Sequence, residues 1–164
     1  MSYKNYITEV IDFPQEGISF KDISPLLADE VVFKNVIRDM GSRVRLPNYW
    51  VGVDARGFIF ASALSIYYGG GVVLCRKKNK LPSPKNQQQY NLEYGTATLE
   101  MRDGDGEVVI VDDVLATGGT LQATNWLAKK SGYDVVGNIV LIDLKYVPRD
   151  SIFDLNVKSL VTYE

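Results

Sequence analysis

The stretch EVVIVDDVLATGGT at 107–120 gathers the side chains with the clearest chemical purpose in this 164-residue chain. Two adjacent acids, Asp112 and Asp113, follow a β-branched run at 108–111. A turn of Ala116, Thr117, Gly118, Gly119 and Thr120 then opens a helix. Such a turn offers several backbone N–H groups, two hydroxyls and the positive end of a helix dipole, which together cradle an anion such as phosphate. Carboxylates beside a phosphate cradle make sense when the ligand also presents hydroxyls, because an ionised acid accepts hydrogen bonds from a diol. The implied ligand carries phosphate and ribose. A plain strand-to-helix turn, with Gly for backbone geometry and Thr as N-cap, is the competing structural reading.

Other nucleotide motifs are missing. GVDARG at 52–57 has the glycine spacing of a P-loop but is followed by Phe58 and Ile59, not Lys and Ser or Thr. No G-x-G-x-x-G follows a β-rich run, so ATPase and dinucleotide readings fall away. The chain contains no histidine, which removes the commonest general base, the usual Ser and Cys triads and most transition-metal sites. Acid–base chemistry must fall to Asp, Glu, Tyr or Lys. Net charge is −2, with no broad basic surface for nucleic acid, yet charge is locally uneven. Residues 74–92 hold Arg76, Lys77, Lys78, Lys80 and Lys85 and no acid, a block suited to a local anion site.

The elements that must position these groups follow from periodicity. Residues 12–24, broken by Pro14 and Gly17, form an N-terminal arm ahead of the main fold. Pro25 opens a helix reaching roughly Val44, with apolar residues at Leu26, Val32, Phe33, Val36, Ile37 and Met40. A β run at 49–53, a helix at 57–68 apolar on every side and therefore expected to be buried, and a β run at 71–75 come next. KNQQQ at 85–89 reads as a loop, and 90–101 as a hairpin about Tyr94-Gly95. A helix at 120–130 closed by Gly132 and a β run at 135–144 complete the pattern. β runs alternating with helices predict one α/β domain over 1–164, with a mostly parallel twisted sheet flanked by helices. In such sheets ligands bind beyond the carboxyl ends of the strands.

Composition fits that scheme: 46% apolar and 23% charged residues describe an ordinary globular domain. The longest nearly unbroken apolar run, 58–68, is about half a bilayer span, and 1–10 has no signal-peptide core. A cytoplasmic protein that does not engage a membrane is expected. The single cysteine, Cys75, is expected to be a buried core residue.

Taken together, strand–DD–x–x–ATGGT is similar to the phosphoribosyl pyrophosphate (PRPP) motif of type I phosphoribosyltransferases. FPQEGISFKDISPLL (13–27), VDARGF (53–58), CRKKNKLP (75–82), YNLEYGTATLE (90–100) and SLVTYE (159–164) resemble the adenine phosphoribosyltransferases, in the family's order over most of the chain. The resemblance implies that Asp112 and Asp113 hold the ribose diol and that 116–120 bind the 5-phosphate. It places Arg56, Arg76, Lys77 and Lys80, with Tyr94 beside them, at the pyrophosphate that leaves, where cations are needed as negative charge accumulates. Glu93 becomes the acid–base residue, and Arg56 assists at the reacting centre. The arm is a hood over the base, which implicates Ile18, Ser19, Phe20 and Lys21; Lys21 stands where many relatives carry arginine. The flap covers 81–101. Mg²⁺ is implied as a companion of PRPP, held mainly by ligand and water oxygens without a dedicated protein site. The implied substrates are PRPP and adenine, the products AMP and pyrophosphate, and the implied assembly a homodimer. A phosphoribosyltransferase for another purine, or a non-catalytic PRPP-binding regulator of the same fold, are the alternatives.

Overall fold

The computed structural model describes residues 2–82, 85–92 and 95–164. Its centre is a seven-stranded sheet in the order β5-β6-β4-β3-β7-β8-β9. The strands are β3 (Tyr49–Val53), β4 (Gly71–Lys77), β5 (Asn86–Leu92), β6 (Gly95–Met101), β7 (Glu107–Leu115), β8 (Asp134–Leu144) and β9 (Lys158–Tyr163). The run β4-β3-β7-β8-β9 is parallel, and the hairpin β5–β6 joins antiparallel to β4. The expected sheet is present, with the hairpin at one edge. Alternation along β7 sends Val109 and Val111 to one face and Val108 and Ile110 to the other. The first face is covered by α2 (Glu30–Gly41) and α3 (Gly57–Tyr68), through Val36, Met40, Phe60 and Leu64. The second is covered by α4 (Gly119–Lys130), through Leu121, Leu127 and Ala128. Cys75 is fully buried on that second face, and burial pushes its thiol up to about 12, so it is a packing residue.

Several boundaries differ from expectation for identifiable reasons. The helix expected from Pro25 to Val44 is broken at Asp29 into α1 (Ser24–Ala28) and α2. Asp29 is extended and its carboxylate accepts from the N–H groups of Val31 and Val32, both at 3.0 Å, which starts a new helix. The segment 86–89, expected as loop, lies within β5. Its glutamines replace apolar packing by cross-strand bonds, from Gln87 Nε2 to Glu100 at 2.9 Å and from Gln89 Nε2 to Thr96 Oγ1 at 3.1 Å. Polar side chains suit an edge strand, where a row of free backbone groups is otherwise prone to pairing with other chains. The arm is more regular than Pro14 and Gly17 suggest: β1 (Thr8–Ile11) pairs antiparallel with β2 (Ser19–Asp22). Finally, α3 is not buried all round. Ile66 is 89% exposed and Tyr67 54%, because sheet and α2 cover only part of this apolar helix.

Candidate active site

Three connections meet at the carboxyl ends of the parallel strands. After β3, the turn 54–57 carries Asp54 and Arg56 into α3. Gly57 lets this turn press against β7, since a Cβ there would come within 2.7 Å of the Val111 carbonyl oxygen and 3.2 Å of Asp112 Oδ1. The missing side chain therefore sets the distance between the turn and the acids. β7 itself runs on through Asp112 and Asp113 to Leu115, so the acids lie within the strand and not after it.

Asp113 is almost fully buried. Arg56 Nε stands 2.7 Å from Asp113 Oδ2, but the N–H is not aligned on that oxygen, which has no hydrogen-bond partner among the described residues. A buried carboxylate oxygen without a donor is costly and marks a place for one. Asp112 Oδ1 accepts from the Asp113 N–H at 2.9 Å. Burial first, and then the charge of Asp113, raise the Asp112 carboxyl well above the usual carboxylate range.

Beyond β7, Asp112, Ala116, Thr117, Gly118 and Thr120 line a small cleft of about 90 Å³ at the start of α4. Gly118 adopts φ 90°, a left-handed conformation that favours glycine. The room left by its missing side chain is occupied by the Phe153 ring, so this glycine serves a turn braced from outside instead of leaving space for a ligand. Thr117 Oγ1 accepts from the Gly119 N–H at 3.4 Å and closes the turn locally.

Asp54 ties the basic segment to this edge. Its Oδ2 accepts from Arg76 Nε at 3.4 Å and from the Lys77 N–H at 3.3 Å. Arg76 also reaches the Lys80 carbonyl at 3.5 Å and lies over the Phe58 ring. Arg56 and Arg76 are thus fixed near the strand ends, whereas the side chains of Lys77 and Lys80 are exposed and form no ion pair among the described residues. The fully buried carboxylate of Glu100 holds the same loop from below, accepting from the N–H groups of Asn79 and Leu81 at 2.9 and 3.4 Å. Burial would raise its pKa, but these donors together with the charge of Lys85 and the Gln87 amide outweigh burial and hold it below the ordinary value.

The arm encloses a pocket of about 540 Å³ with Val10, Phe13, Phe20, Ile23, Arg56 and Ile59 among its walls. Phe20 packs edge-on against Phe13 at 5.2 Å, and the Arg56 guanidinium lies 5.1 Å from the Phe20 ring centre. Arg56 therefore touches both the hood and Asp113. Ile18 is held in the hairpin turn, its N–H bonded to the Gln15 carbonyl and its carbonyl to the Phe13 N–H. Ser19 and Lys21 both bond Glu9, Lys21 Nζ at 2.5 Å, and Lys21 sits over the Tyr163 ring at 4.5 Å. Ser19 and Lys21 thus pin the hairpin to β1 and β9, and only Phe20 of the four hood candidates lines the pocket. Glu93 and Tyr94 lie outside the described residues.

Comparison with known proteins fits this geometry. The phosphoribosyl transferase domain family matches residues 35–158. The adenine phosphoribosyltransferase of Hydrogenovibrio crunogenus is 44% identical over 163 residues, covering 97% of this chain and 95% of that protein. This chain belongs to the adenine phosphoribosyltransferase family. A solved structure from the family, from Thermoanaerobacter pseudethanolicus, superposes with a TM-score of 0.88 at 38% identity, over 98% of this chain and 97% of that one. The Saccharomyces cerevisiae enzyme, solved with adenine and an imino-altritol bisphosphate, gives a TM-score of 0.84 at 28% identity, over 96% and 94% of the two chains. The fold is that of the type I phosphoribosyltransferases.

Sequence reasoning missed Glu9, Phe13, Asp54, Glu100, Phe153 and Arg149, whose guanidinium donates to the Ala116 carbonyl and pairs with Asp143. Asp54 had a signal in its place two residues before Arg56, in a turn after a buried strand. The other five gain their roles only from partners distant in sequence.

Proposed function

We propose that this chain, like the relatives named adenine phosphoribosyltransferase, is a phosphoribosyltransferase acting on adenine, and that it transfers the 5-phosphoribosyl group of PRPP to N9, releasing pyrophosphate and AMP. The observation that carries the reading is the buried Asp113 Oδ2, ion-paired with Arg56 but without a hydrogen bond among the described residues, beside the cleft at 116–120. A ribose hydroxyl is the donor that this oxygen lacks, and the turn beside it suits the 5-phosphate.

In this reading Asp112 and Asp113 hold the diol while 116–120 hold the phosphate. Arg56, released from Asp113 when the diol takes its place, and Arg76 face the pyrophosphate with Lys77, Lys80 and Tyr94. As the C1–O bond to pyrophosphate breaks and the C1–N9 bond forms, negative charge grows on the leaving group and these cations offset it. The base loses its N9 proton as the C1–N9 bond forms, and Glu93, as the carboxylate beside the ring, accepts it. The purine lies in the hood pocket against Phe20, with Ile18, Ser19 and Lys21 shaping the hairpin that presents it. Mg²⁺ would arrive with PRPP, held mainly by its phosphate and ribose oxygens and by water, without a dedicated protein site. Bound with PRPP, Mg²⁺ would neutralise phosphate charge. The exposed apolar face of α3, with Ile59, Ile66 and Tyr67, supports a homodimer. Single, buried Cys75 supports a reducing cytoplasmic setting.

The test is pyrophosphate release from PRPP with Mg²⁺ and each of adenine, hypoxanthine, guanine and xanthine. Release with adenine far above the other three is expected. Release with none of them overturns the reading, and release with a different base corrects the substrate.

A further inference from the structure

The loop between β8 and β9, residues 145–157, lies against the outer side of the turn at 116–120. Arg149 commits its guanidinium there. Nη1 donates to the Ala116 carbonyl and, at 3.1 Å, to the Leu144 carbonyl, while Nη2 is paired with Asp143 Oδ1. The next residue continues the contact, its Asp150 N–H donating to the Thr117 carbonyl at 2.8 Å. The Phe153 ring then fills the space beside Gly118 and lies under the Arg149 guanidinium at 5.8 Å. Three successive residues of the turn are thus gripped from one side.

The grip has a directional consequence. The peptide groups of 116–117 and 117–118 are trans, and a trans peptide points its C=O and the N–H that follows in opposite directions. Donors in the outer loop that hold the carbonyls of Ala116 and Thr117 therefore turn the N–H groups of Thr117 and Gly118 the other way. Peptide groups free to rotate would spend much of their time presenting a carbonyl oxygen to an incoming anion, which repels it. Resting on the phosphate site of the reading above, we propose that Arg149 is a positioning residue that orients the Thr117 amide toward the 5-phosphate of the ribosyl substrate without touching it, as the neighbouring Asp150 N–H does for the Gly118 amide. Its planar fork suits the task, because one side chain must satisfy two carbonyls and a carboxylate in fixed directions, which an ammonium on a flexible stem does not do.

The experiment compares equilibrium affinities of the full chain for ribose 5-phosphate and for pyrophosphate, both with Mg²⁺, in the parent, Arg149→Gln and Arg149→Lys. Ribose 5-phosphate uses the turn; pyrophosphate uses Arg56 and Arg76. Both variants are expected to bind ribose 5-phosphate about tenfold more weakly, the scale of one or two lost charge-assisted contacts. Pyrophosphate affinity should stay within about twofold, and KM for PRPP should rise far more than kcat falls. Unchanged ribose 5-phosphate affinity overturns the proposal, as does equal loss of both ligands, the mark of general damage. Full recovery in Arg149→Lys also overturns it, by showing that charge alone suffices. Should Arg149→Gln not fold, Arg149→Lys decides on the same two affinities. A parent chain that binds both ligands yet makes no AMP refutes the proposed reaction and leaves the role of Arg149 standing.

Discussion

The ends of the site proposed here to take the phosphate and the base are built in opposite ways. At the phosphate end, a continuous segment leaves a central strand, turns and enters a helix, and a second loop braces it through Arg149, Asp150 and Phe153. At the base end, a two-stranded hairpin stands apart from the main sheet, with Ile11 and Phe13 largely exposed, and is pinned through Glu9, Lys21 and Tyr163. A charged tripod needs fixed donors, because its binding energy depends on dipoles that do not have to reorganise. A flat, neutral base needs to enter and leave, and a half-exposed hairpin can yield. Arg56 lies between them, on Phe20 at one side and Asp113 at the other.

If the phosphate end is rigid, it should tolerate least. Gly118→Ala places a Cβ into the Phe153 ring and forces an L residue to φ 90°. The combined strain is expected to cost about 2–4 kcal/mol, read as a lower midpoint in urea unfolding, with PRPP affinity falling in parallel. A variant as stable as the parent would show that the brace is loose and would dissolve the contrast.

The next effect is smaller and has the opposite sign. Burial and the adjacent Asp113 raise the Asp112 carboxyl, so the folded chain holds that proton more tightly than the unfolded chain does. Stability from this group is full below the ordinary carboxylate pKa and is lost as pH rises through the raised folded value. Asp112→Asn is therefore expected to raise Tm by a few degrees at pH 8 while weakening PRPP, the trade expected of a site residue under strain. The gain should shrink toward pH 4, where the parent carboxyl is protonated as well. A Tm difference that does not change with pH would remove the electrostatic account.

The same contrast explains what the sequence discloses. Residues 107–120 are legible as a strand, a turn and a helix start because strand, acids, glycines and threonines are contiguous, although the packing of Gly118 against Phe153 is not. Arg56 and Arg76 are legible as cations beside buried strands. Arg149 is not: nothing in KYVPRD indicates that its guanidinium returns to Ala116, 33 positions earlier. Nor does NQQQ disclose a strand, because the bonds from Gln87 to Glu100 and from Gln89 to Thr96 replace the apolar alternation by which strands are recognised. Lys21 shows the limit of resemblance. Its place in the hood segment follows the family, but its ammonium is spent on Glu9, Ser19 and Tyr163. The apolar character of α3 is plain in sequence, whereas which side remains uncovered depends on how far the sheet and α2 extend.

The smallest effect is expected at the pin of the hood. Glu9 accepts from Lys21 and Ser19, and these two bonds hold its carboxyl below the ordinary glutamate value. A lowered folded pKa means that the contribution is present above the unfolded value and is lost as pH falls through the folded one. Glu9 is itself exposed, so water screens the pair and its removal should leave global stability nearly unchanged. What changes is the hairpin. With Lys21 no longer fixed between Glu9 and Tyr163, β2 can shift against β1 and carry Phe20 with it. Glu9→Gln is expected to raise KM for adenine by roughly two- to fivefold, the scale of one weakened charge-assisted bond acting at a distance, with KM for PRPP unchanged. An equal rise in both constants would mean that hood and phosphate cradle respond as one body, with Arg56 carrying the disturbance from Phe20 to Asp113.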